Sequence, residues 1–481
     1  MGIIQKQFLY GETAFSFGDG VILKILHELN SFIWGLPALV MILGVGVFLT
    51  LHTRAAQLRL LPAALVACFR PFFSTENGSD RSKRRALCTA LAATVGTGNL
   101  AGVAGAIALG GPGAVFWIWV CGLLGMVTKM AEASLSIRYR ITGKSGDFNA
   151  GPMYMILETM KKKWHWLAYV YCFFGVVASF GVGNATQINA VVGGIHSSLQ
   201  GLGIEKCIWL SCGIGILLGL LVWKVLSGGV SRIGAVAEKL VPIAAAFYVL
   251  LCIVALWHRK DKVFDALYSI VYGAFHPQAL TGGIVGSFFV CLRVGAARGV
   301  FTNEAGMGTA AMAHGTAKVT EPLEQGMMGI IEVFVDTILI CTLTALVILT
   351  SGIKITYGMD LGIGLTTQAF VSVFGQWVSV FLSVALCLFA IATIFGWGLY
   401  GIQCFSFLFG YDQLKRFVFL QACMAVIASI MQTQTLWLMA EIVNGLMAIP
   451  NLIILAKLAP EFVIMLQSYE RKKAGNKHWN S

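Results

Sequence analysis

Residues 93 to 102, Ala-Thr-Val-Gly-Thr-Gly-Asn-Leu-Ala-Gly, place three glycines, two threonines and an asparagine inside an apolar run from Ala86 to Leu109. Gly96-Thr97-Gly98-Asn99-Leu100-Ala101 fits G-x-G-x-x-A, the spacing of a dinucleotide-binding turn. That chemistry needs a preceding strand and an acidic residue about 20 positions on to hold a ribose. The chain has neither: Phe116-Trp117-Ile118-Trp119 stands where the acid should be. Gly98 and Gly102, four apart, suit close packing of membrane helices, but packing leaves Thr94, Thr97 and Asn99 unexplained. Asn is costly in hydrocarbon unless it faces a partner or a cavity, and each interior Gly costs about 1 kcal/mol relative to Ala. The stretch therefore predicts a helix that opens. Carbonyls at the end of its first half, Val95 among them, can coordinate a cation, while N–H groups of the second half hold an anion. Thr94 and Asn99 add neutral oxygens suited to a hard cation such as Na⁺.

A second stretch, GAARGVFTNEAGMG from Gly295 to Gly308, also interrupts an apolar run and carries Arg298, Asn303 and Glu304, with Arg293 just before it. Charges at membrane depth are paired or functional. An Arg298–Glu304 ion pair bracing an unwound segment is expected, with direct solute contact as the alternative. For Asp336 a coupling-ion ligand and a satisfied structural acid stand level, and Glu332 and Glu441 have no assigned role. Lys129 and Glu132, three apart on a helix, are expected to pair with each other near the cytoplasmic end. Gly183-Asn184-Ala185-Thr186-Gln187 is a polar patch able to bind a solute or to join helices. Thr393 and Trp397, four apart, share a helix face; the hydroxyl can serve an ion and the indole can wall a pocket, or both can simply pack.

The elements that position these residues follow from composition. Of 481 residues, 57% are hydrophobic and 12% charged, and mean hydropathy is +0.80. Soluble chains carry about 25% charged residues, so a polytopic membrane protein is implied. Twelve cysteines without a C-x-x-C and eight histidines without H-E-x-x-H support neither a disulfide framework nor a zinc site. The first long apolar run begins near Phe32, which does not fit a cleavable signal peptide. Eleven runs near membrane length fall at 32–51, 86–109, 114–136, 167–195, 207–226, 234–257, 281–312, 325–351, 376–409, 415–433 and 436–457. The net charge of +12 sits in alternate loops, which argues for topology rather than a nucleic-acid surface. Loop 52–87 (Arg54, Arg59, Arg70, Arg81, Lys83, Arg84, Arg85 against Glu76 and Asp80), loop 137–166 (Arg138, Arg140, Lys144, Lys161 to Lys163) and the tail with Arg471, Lys472, Lys473 and Lys477 share one side. Arg259, Lys260 and Lys262 dissent, partly offset by Asp261 and Asp265. The bias predicts an outside N-terminus and a cytoplasmic C-terminus.

Setting the first run aside leaves five plus five, and an odd number forces the halves into opposite topology. Residues 1–85 then hold the extra helix and a basic loop, 86–257 and 258–458 the two repeats, and 459–481 the tail. Each half opens on an interrupted span, the arrangement that marks a secondary transporter's binding site. An intramembrane enzyme would need a nucleophile–base pair, and no histidine in a span stands beside a candidate partner. A channel would repeat its filter by oligomerising, whereas two unlike breaks in one chain suit a single internal site.

VGTGNLAGVAGAIALGGPGAVFWIW, GDFNAGPMYMI (Gly146 to Ile156) and RGVFTNEAGMGTAAMAH (Arg298 to His314) resemble the alanine or glycine:cation symporter family of prokaryotes, from the first span to the end of the last. The resemblance implies an all-α fold of eleven transmembrane helices, a leucine-transporter-like five-plus-five inverted repeat with one extra N-terminal helix. It also implies Na⁺-coupled uptake of small neutral amino acids across the cytoplasmic membrane. Thr97 and Gly98 would meet the substrate carboxylate through backbone N–H groups, Asn99 would sit by an ion, and Trp397 would limit substrate size. Thr302 and Thr309 stand where Ser is frequent in the family, which keeps the hydroxyls; some relatives take glutamine or couple to protons. The expected site comprises Thr97, Gly98, Gln187, Asn303, Thr393 and Trp397 for the solute. Thr94, Val95, Asn99, Asp336 and Thr393 are expected for Na⁺, with no cofactor and no obligate protein partner.

Overall fold

The computed structural model describes residues 25–26, 28–30, 32–69, 78–143, 147–200, 207–281, 287–359, 362–431 and 433–478. Residues 1–24, Arg70, Glu76, Lys144 and Gly146 of the sequence argument lie outside them. The chain is mostly helical: α1 (Leu36–His52), α2 (Ala56–Phe69), α3 (Gly78–Thr94), α4 (Val103–Gly110), α5 (Ala114–Tyr139), α6 (Pro152–Thr159), α7 (Trp166–Phe180), α8 (Thr186–Gln200), α9 (Ile208–Leu226) and α10 (Gly229–His258). There follow α11 (Val263–Phe275), α12 (Phe288–Asn303), α13 (Thr309–His314), α14 (Pro322–Val333), α15 (Thr342–Thr350), α16 (Ile363–Phe374), α17 (Val378–Phe409), α18 (Leu414–Ala428) and α19 (Thr433–His478). A two-stranded antiparallel ribbon, Ile141–Thr142 with Phe148–Asn149, follows α5.

Among the described residues seven helices are long and apolar enough to cross a membrane, and two bent pairs bring the number to nine. The bent pairs are α1–α2, folded through 82°, and α3 with 98–110, folded through 48°. Two of the apolar runs fall short: 281–312 is split into α12 and α13 around Glu304–Gly308, and 415–433 is the 15-residue α18. Nor does the chain leave its helix at residue 458, because α19 continues through Pro460 to His478.

α5 is the buried axis of the bundle, and α14 lies against it in backbone contact. A Cβ on Gly329 would stand 2.9 Å from the Lys129 carbonyl oxygen, and one on Gly326 would stand 2.0 Å from Ser134 Oγ. Small residues there let two spans approach closely where no water-driven force holds them together. α9 and α10 instead turn Leu217, Leu220, Ile243 and Leu250 outward, as lipid-facing helices do. Trp209, Trp257 and Trp377 are all more than 70% exposed near the ends of α9, α10 and α17, as interfacial aromatic residues are.

The basic residues between the spans make specific ion pairs. Arg81, Arg84 and Arg85 of α3 converge on Glu238 of α10 at 3.7, 2.5 and 2.8 Å. Arg59 of α2 reaches Glu470 of α19 at 3.0 Å, and Tyr139 donates to Glu461 at 2.6 Å. Arg140 caps the turn after α13 through the carbonyls of Gly315, Ala317 and Val319. These pairs tie the α2, α3 and α19 ends to the bundle on that side.

Candidate functional site

The α-helical ladder of α3 ends where the Val95 N–H meets Leu91 O at 2.8 Å. A π turn, Gly98–Gly102, then carries the chain into α4. Asn99 makes the corner: its Oδ1 accepts the Gly96 N–H at 2.8 Å while its own N–H returns to Gly96 O at 3.3 Å. Its Nδ2 donates to Asp336 Oδ1 at 2.7 Å and to Asp336 O at 3.0 Å. Asp336 lies in a π-helical stretch, Phe334–Cys341, between α14 and α15, and its other oxygen accepts from Thr337 at 2.8 Å. Asn99 and Asp336 are both fully buried.

Around this corner stand the other predicted residues. Thr97 Oγ1 donates to Gln187 Oε1 at 3.3 Å. Gln187 follows the π turn Gly181–Ala185, so the polar patch is itself an interruption between α7 and α8. Gly96 faces Thr393 of α17: an added Cβ would lie 2.7 Å from its Oγ1, a buried hydroxyl without a protein hydrogen-bond partner. Thr94 Oγ1 donates to Ala90 O at 3.3 Å. Gly98 rests on α12, where an added Cβ would lie 3.8 Å from the Phe301 ring. The two interrupted spans are therefore neighbours. Asn303 follows Thr302, whose Cα would lie 4.0 Å from a Cβ on Gly98; its Oδ1 accepts the Ala305 N–H at 2.9 Å and its Nδ2 lies beside Gly125 of α5.

The second break runs from Glu304 to Gly308, with left-handed φ of 54° at Glu304, 88° at Gly306 and 80° at Gly308. Glu132 of α5 holds it: Oε1 accepts the N–H groups of Gly306 and Gly308, each at 3.1 Å, and Asn451 Nδ2 at 2.7 Å. Glu132 thus does not brace Lys129. Lys129 Nζ instead meets Glu332 Oε1 of α14 at 2.6 Å, and both side chains are 0% exposed. His314 Nε2 donates to Glu332 Oε2 at 3.0 Å, and Gln325 Nε2 donates to His314 Nδ1 at 2.7 Å. A buried histidine with an acidic partner therefore exists, contrary to the sequence expectation, but it serves the ion pair.

The expected Arg298–Glu304 bridge is replaced as well. Glu304 Oε1 accepts the Trp397 indole N–H at 3.0 Å, while Arg298 reaches Glu441 of α19 at 3.3 Å. Glu441 also takes Asn30 Nδ2 at 2.8 Å, and its carbonyl takes Trp34 Nε1 at 2.8 Å, so residues ahead of α1 close over this pair. A cavity of about 220 Å³ opens there, with Phe301 between it and Gly98. The Arg298–Glu441 side chains are about a quarter exposed, so Glu441→Gln should cost no more than about 1 kcal/mol of stability. A detergent thermostability series comparing it with wild type checks this. A second cavity, about 620 Å³ beside Lys83, Glu324 and Lys473, shares no residue with either break.

Glu332, His314, Asn451 and the Glu304–Trp397 bond were not assigned from sequence, and Glu132 was assigned to the wrong partner. The rule that an intramembrane charge is paired flags Lys129, Glu332 and Glu441, yet names no partner. Among the described residues no group of three His, Cys, Asp or Glu side chains could hold a metal ion. An ion at the first break would be served by carbonyl, amide and hydroxyl oxygens and the single carboxylate of Asp336.

A multi-pass helical bundle with paired interrupted spans around buried polar groups defines a membrane carrier. The family profile described as "Sodium:alanine symporter family" matches residues 19–480, and the chain belongs to that family. It is a family of symporters, not of enzymes. Among relatives, the sodium/alanine symporter AgcS of Methanococcus maripaludis is 37% identical, covering 89% of this chain and 93% of that protein. The probable sodium/glutamine symporter GlnT of Bacillus subtilis is 31% identical, covering 95% and 92%. The crystal structure of MhsT in complex with L-phenylalanine superposes with a TM-score of 0.54 over 79% of this chain and 97% of that one; at 12% identity the likeness is one of fold.

Proposed function

We propose that the protein imports a small neutral amino acid, alanine or glycine, together with Na⁺ by alternating access across a prokaryotic cytoplasmic membrane. In this reading eleven helices cross the bilayer, with the N-terminus outside and the C-terminus inside. Residues 86–257 and 258–458 are inverted repeats, and 1–85 and 459–481 lie outside them. Na⁺ binds at the first break through Thr94, Val95, Asn99, Asp336 and Thr393. The amino acid docks beside it, its carboxylate on the Thr97 and Gly98 N–H groups, with Gln187, Asn303, Thr393 and Trp397 around it. Ion binding orders the opened segment, the bundle rocks, and the Na⁺ gradient supplies the energy.

One observation carries this reading: the partnerless Thr393 hydroxyl aimed at Gly96, beside the Asn99–Asp336 pair. Unpaired polar atoms buried beside an opened helix are what an ion or a polar solute would satisfy. Glutamine is the second reading, favoured by GlnT among the relatives. Against it, Trp397 is fully buried and limits the space on that side.

Uptake of labelled alanine into proteoliposomes under an inward Na⁺ gradient, an inward H⁺ gradient and no gradient tests the proposal. Accumulation should require Na⁺, and unlabelled glycine should compete better than glutamine. Uptake indifferent to every gradient would sink symport. Trp397→Ala should admit larger neutral amino acids, improving their uptake relative to alanine by roughly tenfold or more, measured by competition.

A further inference from the structure

Among the described residues Trp397 is the largest fully buried side chain, and it is held from three directions. Its backbone side presses on the π turn between α7 and α8, where a Cβ on Gly183 would stand 2.2 Å from Trp397 Cβ. Its ring meets Tyr400 edge-on, with centroids 5.5 Å apart. Its one polar atom, the indole N–H, donates to Glu304 Oε1 at 3.0 Å. A buried indole takes its orientation from the acceptor its N–H finds, and here that acceptor is on another span.

Glu304 is unusual in its own backbone. It closes α12 as the C-terminal cap, donating its N–H to Val300 O at 2.8 Å, with left-handed φ of 54°. That conformation favours glycine, or asparagine after it. A glutamate placed there is 4% exposed and points into the bundle toward α17. Lys129, Glu332, Thr309, Tyr400 and the Trp397 indole lie within its electrostatic or hydrogen-bond reach.

We propose that Glu304 is a specificity-determining residue, which fixes the Trp397 indole against Gly183 and so sets how large a side chain the solute site admits. This rests on the reading that Trp397 walls that site. Glu304 acts through Trp397 as a positioning residue. It links the second interrupted span to the pocket wall, so the wall's position follows the geometry of the break.

The test compares E304A, E304Q and W397F with wild type in proteoliposomes, using labelled alanine competed by leucine and by phenylalanine. E304A removes the acceptor and frees the indole, so the preference for alanine over the larger amino acids should fall roughly tenfold or more. E304Q keeps an oxygen at the same place and should retain most of the wild-type preference. W397F removes the N–H together with the five-membered ring and should relax selectivity in the same direction as E304A; in that background Glu304→Leu should relax it no further, which keeps the proposal testable if E304A does not fold. The Na⁺ concentration for half-maximal uptake should change little in all three, whereas a general loss of structure would move it. Unchanged selectivity in both E304A and W397F overturns the proposal, as does E304Q behaving like E304A. Failure of the underlying reading looks different: Trp397→Ala would then leave selectivity unchanged as well, whereas failure of the proposal alone leaves Trp397→Ala relaxed and E304A like wild type.

Discussion

Lys129→Met should lower stability by about 3–5 kcal/mol, the cost of removing one partner from a fully buried ion pair. Lys129 Nζ and Glu332 Oε1 are 2.6 Å apart with neither side chain exposed, so the surviving carboxylate cannot turn to water. Gly326 and Gly329 bring α14 into backbone contact with α5 at this level, which leaves no room for the pair to separate. Glu132 and Glu304 lie within the electrostatic reach of the same ammonium, so its loss also removes the cation they share. Size-exclusion thermostability in detergent reads the effect: the variant should aggregate at clearly lower temperature than wild type. Lys129→Met combined with Glu332→Gln should recover much of the loss, because the amide oxygen still accepts from His314 without carrying a charge. A single Lys129→Met variant as stable as wild type would show that the pair contributes nothing to folding.

Asn99→Ala should raise the Na⁺ concentration needed for half-maximal uptake by roughly ten- to a hundredfold. Four contacts disappear together: the acceptor for the Gly96 N–H, the two donations to Asp336 and one to Cys341 Sγ. A net hydrogen bond contributes about 0.5–1.5 kcal/mol, and each 1.4 kcal/mol is a factor of ten. Their loss leaves Asp336 without its amide partner and the first break without its corner, so the oxygens proposed for Na⁺ no longer converge. Saturating Na⁺ should restore part of the maximal rate, which separates this result from misfolding. Wild-type Na⁺ dependence in Asn99→Ala would move the proposed ion away from the first break.

Several parts of the site were legible because their causes are local. Glycines 96 and 98 beside Asn99 weaken a helix wherever they stand, and the chain bends there by 48°. The same holds for Gly306 and Gly308, whose positive φ only glycine takes at low cost. The polar patch at 183–187 also disturbs its helix, overlapping the π turn Gly181–Ala185. The charge partners were not legible, and the Lys129–Glu132 expectation shows why. Residues three apart on an exposed helix are each other's nearest neighbours, but α5 is surrounded, so each finds a partner on a different helix. Lys129 points to α14, and Glu132 points to the second break and Asn451. The Arg298–Glu304 expectation failed for the same reason: the left-handed turn at Glu304 sends its carboxylate to Trp397.

The amino-acid sequence by itself determined that this is a polytopic helical membrane protein of a symporter family, and where two of its spans open. Composition, run length and glycine clustering act within a segment and need no knowledge of its neighbours. Only the tertiary structure decided that Glu332 answers Lys129, that Glu441 answers Arg298, and that Glu304 holds the Trp397 indole. These contacts join residues 203, 143 and 93 positions apart. A hydrogen bond acts over about 3 Å, so its partner is chosen by which helices pack together, which no spacing along the chain reveals.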